Sequence, residues 1–261
     1  MRKILYPLAA LLFGAAGYFL RLRQLAEARD PNTGMLLPSG PETVHLVGLT
    51  LGAAAALLVF ALTVPRSAVD WRSAFHSRNP LHRLLSCAAA LGFGGAGALI
   101  GYRFWLDRRY GNPGIFRAVF AALLVVSCIA ALLLLFRKVD REEEGSILPV
   151  LPGFSACVWL VLTYHGNASN PSTLEYIWQL LAVVSACLAW YYAAGFVFRR
   201  CRHRRAAFFQ LLTVTLCVIS LADETELFQR VLLASTALWF LTQSAALFTP
   251  SQYLGRREEK A

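Results

Sequence analysis

Apolar positions in this chain neither alternate nor trace a narrow stripe; they fill long blocks separated by short segments rich in Arg, Asp, Gly and Pro. Eight blocks stand out, at residues 4–20, 43–63, 84–106, 114–136, 147–164, 174–198, 206–222 and 227–248. Each approaches the roughly 20 residues that a helix needs to cross a hydrocarbon core about 30 Å thick. Inside lipid only helices and closed barrels satisfy every backbone group, and barrel strands alternate in polarity over about ten residues. Blocks such as 119–136 do not alternate. The pattern therefore predicts an all-α, polytopic transmembrane helix bundle of eight spans. The connecting segments are too short to fold alone, so residues 1–261 are expected to form a single membrane domain.

The composition agrees with a lipid-embedded chain: 57% of residues are hydrophobic, only 15% are charged, and the mean hydropathy is +0.52. A soluble domain carries about 25% charged residues. The first block follows Arg2 and Lys3, as a signal peptide would. No clear small-x-small site precedes Arg21, however, so a retained helix is expected.

Charge sets the expected orientation. When alternate segments are assigned to two sides, seventeen of the 25 Lys and Arg residues fall on the side of the N-terminus, while the 15 acidic residues split almost evenly. Basic loops stay in the cytoplasm, so both termini are expected inside, in a multi-pass protein of the cell membrane. The formal net charge of +10 then belongs to the cytoplasmic face. Its expected partners are the lipid bilayer and anionic headgroups, with another membrane or cytoplasmic protein as a further candidate. Nucleic acid is not expected, because the basic residues follow the membrane boundary. The densest basic run is the cytoplasmic patch Arg199, Arg200, Arg202, Arg204 and Arg205. Cys201 within it is the one candidate reactive or lipidated thiol.

Candidate chemistry is sparse. The other five cysteines fall inside spans, with no C-x-x-C pair, and no H-E-x-x-H, P-loop, G-x-S-x-G or G-x-G-x-x-G motif is present. No metal site and no cofactor are expected. No ionisable residue lies near a span centre, which disfavours an ion-coupled pump. Gly97 with Gly101, and Gly48 with Gly52, form G-x-x-x-G pairs expected to pack helices closely. Pro149 and Pro152 are expected to distort the first turns of the fifth span.

Charges gather instead at the outer ends of spans. Arg103, Arg117, Glu175, Asp223, Glu226 and Arg230 would line an outward vestibule if the third, fourth and sixth to eighth helices converge. Interfacial anchoring is the plain role for such residues, and binding of a small anionic or zwitterionic ligand or a peptide end is the sharper one. Short matches, such as Phe116-Arg117-Ala118-Val119 with Phe228-Gln229-Arg230-Val231, leave a four-plus-four duplication open.

The first outer segment runs from Arg21 through Arg23, Glu27, Arg29, Asp30-Pro31-Asn32-Thr33-Gly34 and Pro38-Ser39-Gly40-Pro41. It resembles a segment of uncharacterised bacterial multi-pass membrane proteins, in which an Arg-rich helix end precedes T-G and P-x-G-x-P turns. The resemblance covers about twenty residues and implies no activity. Three functions remain open at this level. The first is a non-enzymatic regulatory, scaffold or sensory membrane subunit, and the second a small-solute transporter or facilitator component. The third is a membrane-embedded enzyme on lipid-linked substrates, for which Glu175, Asp223, Glu224 and Glu226 are the available carboxylates.

Overall fold

The computed structural model describes residues 2–30, 35–64, 80–109, 114–136, 147–170, 172–198 and 202–248. Among these residues the chain forms eight α-helices: α1 Arg2–Glu27, α2 Pro41–Leu62, α3 Pro80–Arg109, α4 Ile115–Phe136, α5 Val150–Gly166, α6 Ile177–Val197, α7 His203–Ser220 and α8 Leu227–Leu247. A single 3-10 turn, Thr173–Glu175, precedes α6. Five helices, α1, α2, α3, α4 and α6, are long and apolar enough to cross a membrane.

The remaining three depart from that pattern for different reasons. The helix α5 is apolar but has only 17 residues. The helices α7 and α8 carry more polar side chains, among them Gln210, Thr213, Thr215 and Ser220 on α7 and Ser235, Thr236, Thr242, Gln243 and Ser244 on α8, and all of these are buried. Packing explains how they are accommodated. The α7 helix is flanked by α1, α2, α6 and α8, and α8 by α1, α3 and α7. Large exposed apolar side chains line α1 to α6, whereas none lies on α7 and only Leu227 lies on α8. An extended apolar exterior of this kind is a surface for lipid. The two helices richest in buried polar side chains are thus the ones shielded by protein.

Small residues set the closest approaches. On α1 and just past its end, the buried positions Ala10, Gly14, Gly17, Arg21, Gln24 and Ala28 recur at alternating spacings of four and three, which keeps one face of the helix turned to its neighbour. A Cβ at Gly14 would lie 2.8 Å from Val218 Cβ, and one at Gly17 only 2.5 Å from Ile219 Cγ1, so α7 nests directly on the α1 backbone. Thr215 Oγ1 donates to Ala10 O across the same contact at 3.0 Å. Between α3 and α8, Gly92 receives Ser235. At the centre, Trp190 of α6 stacks on Trp239 of α8 at 5.5 Å, with Phe93 of α3 and Phe240 of α8 at their edges.

Three local expectations are corrected. A Cβ added at Gly48, Gly52 or Gly101 would meet nothing within 4 Å, so neither G-x-x-x-G pair forms a contact as a pair; Gly97 alone packs, on Ala121 and Leu124. The α2 pair faces outward because the helix phase is set by the buried residues Leu46, Ala53 and Leu57. Pro149 is the N-cap of α5 and Pro152 lies in its first turn, where no intrahelical N–H is required, so the prolines start this helix rather than bend it. Finally, α1 continues well past residue 20, to Glu27, and takes Arg21 into the protein interior.

Candidate functional site

The extension of α1 creates the most elaborate polar arrangement among the described residues. Arg21 and Gln24 continue the stripe begun by Gly14 and Gly17, so the helix phase that buries the glycines also buries a guanidinium, at 0% exposure. A buried arginine keeps its charge and offers five N–H donors. Four are used here. Nε donates to Asp223 Oδ1 at 2.7 Å, Nη1 to Gln24 Oε1 at 2.7 Å and Leu174 O at 3.2 Å, and Nη2 to Glu175 O at 2.7 Å. Gln24 Nε2 in turn donates to Thr43 Oγ1 at 2.8 Å, and Thr43 Oγ1 donates to Leu37 O at 3.0 Å. The network ties together α1, the segment joining it to α2, the start of α2, the 3-10 turn and the turn between α7 and α8.

Asp223 is held by that last turn, in which its own N–H donates to Ser220 O and its C=O accepts from Thr225 N. Burial pushes its carboxyl above the usual aspartate range, and the Arg21 guanidinium opposes that shift. Gln179 of α6 lies near enough to favour the charged form slightly, while Oδ2 has no hydrogen-bond partner of ordinary geometry. A pair of this kind fixes a conformation more than it stabilises one, because desolvation of both charges offsets most of their attraction.

The residues expected to form an outer vestibule meet instead in separate pairs. Arg103 of α3 bridges Glu226 at the N-cap of α8, and Arg117 of α4 bridges Asp107 of α3 at 3.2 Å; all four side chains are at least two-fifths exposed. The Glu175 carboxylate accepts from Asn170 Nδ2 at 2.7 Å. Asp223 turns to Arg21, and Arg230 is exposed. Hollows lie elsewhere among the described residues. An open cleft of about 420 Å3 runs between Asp30, residues 35–38 and residues 172–174, beside the Leu37 and Leu174 carbonyls that the network engages. A second, of about 20 Å3, lies within the bundle among α3, α4, α5, α6 and α8.

At the opposite end, Arg202 and Arg205 are exposed beside the start of α7, and Arg204 Nε donates to Val64 O at 3.3 Å. Arg199, Arg200 and Cys201 of the basic patch lie outside the described residues. Among the described residues no three His, Cys, Asp or Glu side chains are grouped to hold a metal ion.

Arg21, Gln24 and Thr43 were not expected from sequence to form a site. The available signal was phase: Arg21 and Gln24 extend the Ala10, Gly14 and Gly17 spacing, whereas Arg23 does not and is exposed, next to Glu27. The chain matches no known protein family, no curated protein and no solved structure at a significant level.

Proposed function

We propose that this protein is an eight-span subunit of a bacterial cell membrane with both termini in the cytoplasm, acting as a non-enzymatic regulatory, scaffold or sensory module. The observation that carries this reading is how the outer charges are used. Arg21, Arg103 and Arg117 each bind a carboxylate of the same chain, which leaves these cations committed to joining helices. Counting α5, α7 and α8 as spans follows from their place in the bundle: two are shielded from lipid by their neighbours, and α5 packs between α4 and α6. The cytoplasmic orientation rests on the distribution of Lys and Arg. Arg202 and Arg205 then face anionic headgroups, each adding about 1 kcal/mol of attraction.

The test is reconstitution. Proteoliposomes containing the protein are expected to show no saturable uptake across a broad panel of ions, amino acids, sugars and small peptides, while the protein copurifies with one defined membrane or cytoplasmic partner at fixed stoichiometry. Saturable uptake of any member of the panel would replace this reading with that of a transporter.

A further inference from the structure

The hollow inside the bundle has its own hydrogen-bond logic, independent of the functional reading above. It is walled by Phe120, Trp159 and Trp190, and its polar lining comes from Ser127 of α4, Ser155 of α5 and Thr236 of α8. All three hydroxyl residues are at most 3% exposed. The proton count is short. Ser127 Oγ lies 2.7 Å from Leu123 O and 2.6 Å from Ser155 Oγ, while Ser155 Oγ lies 3.1 Å from Leu123 O and 3.2 Å from Leu151 O. Two serine protons therefore serve four contacts, to the Leu123 and Leu151 carbonyls and to each other. The shortest contacts take both protons, Ser127 donating to Leu123 O and Ser155 donating to Ser127, and leave the Ser155 lone pairs without a donor. Thr236 Oγ1 commits its proton to Leu232 O of its own helix at 2.7 Å, so its lone pairs also lack a donor. No direct hydrogen bond joins Thr236 to either serine among the described residues.

A volume of about 20 Å3 holds about one water, and a buried water requires two to four polar partners. We propose that this hollow binds a single water molecule that donates one proton to Ser155 Oγ and the other to Thr236 Oγ1, bridging the α4 and α5 pair to α8. Water fits because it supplies two donors in the smallest volume. A larger alcohol supplies one donor and does not fit, and a cation would meet an aromatic wall with too few oxygens.

A double-mutant cycle tests the bridge without relying on either single variant. Thr236→Val and Ser155→Ala each remove one of its ends; no hydrogen bond joins the two side chains, and Thr236→Ser controls for the wall of the hollow they share, so hydroxyl-dependent coupling of their effects on unfolding in mixed micelles reports the bridge. A bridging water makes the effect of Thr236→Val at least about threefold smaller in the Ser155→Ala background than in the wild type, and Thr236→Ser, which keeps the hydroxyl, restores wild-type coupling. Effects that multiply within about twofold would overturn the proposal. So would a density map of the full-length protein that resolves other buried waters and none between Ser155 and Thr236.

Discussion

A guanidinium withdrawn from solvent cannot discard its proton, so the loss of any partner leaves a charge in a medium that solvates it poorly. Replacing Arg21 by Ala strands Asp223, and replacing Asp223 by Ala strands Arg21. Each is expected to cost about 3–5 kcal/mol in micellar unfolding, while Arg21→Met with Asp223→Leu should cost clearly less than the two single changes together. A sum that is simply additive would show that the pair is not acting as a unit. By contrast, Arg103→Ala should change stability by under about 1 kcal/mol, because its partnership with Glu226 is solvent-exposed. Asp223 also gives a pH dependence of definite sign. Its carboxyl titrates above the ordinary aspartate value in the folded protein, so the stability linked to its proton is complete at low pH and is lost as pH rises through the folded value. Relative to Asp223→Asn, the wild type should therefore gain melting temperature on acidification, and a flat difference between the two melting curves would show that the Arg21 charge cancels the effect of burial. The sequence showed the charges but not the pairing. Arg21 and Arg23 are the same residue type two positions apart, and only the phase of the glycine stripe separates their fates; the carboxylate that Arg21 meets lies 202 residues away.

Glycines show how far an element can be read before its neighbours are known. Gly48 and Gly52 carry the more familiar spacing yet face open space, whereas Gly14 and Gly17, three apart, form the closest part of the α1 and α7 contact. Gly14→Ala places its methyl against Val218 Cβ and near the Thr215 carbonyl, neither of which can swing aside, and should cost about 1–3 kcal/mol. Gly48→Ala meets nothing and should be neutral or stabilising by about 0.5–1 kcal/mol through helix propensity. Measured by the same unfolding assay, a reversal of that order would overturn the assigned packing faces. The helices themselves were legible because uninterrupted apolar blocks leave no other backbone solution in lipid: α4 and α8 begin and end within a residue of their blocks. The end of α1 was not, since hydropathy falls where Arg21 enters and gives no sign that the helix continues through a polar network. The inner position of α7 was equally hidden, because its Gln and Thr residues look like reduced hydrophobicity until the helices around it are in place.

At the scale of the molecule, α1 to α6 present apolar faces outward and α7 with α8 fill the space between them. The proposed orientation puts the α7 to α8 turn outside and the start of α7 inside. With the native cysteines replaced, Glu224→Cys should react with an impermeant maleimide on intact cells and Arg202→Cys only after permeabilisation; the opposite pattern would invert the topology, and labelling of both would remove a span. This arrangement also has a consequence in time. The two helices that occupy the middle leave the ribosome after the other six, so the earlier ones enter the bilayer around a gap that their own side chains do not fill. Arg21 is translated 202 residues before its carboxylate, and at about 5–20 residues per second it remains without a counter-charge for roughly 10–40 s. The pair can close only once residue 223 has been made, with α8 still to follow, so throughout that interval the earlier helices hold a charge that nothing among them neutralises.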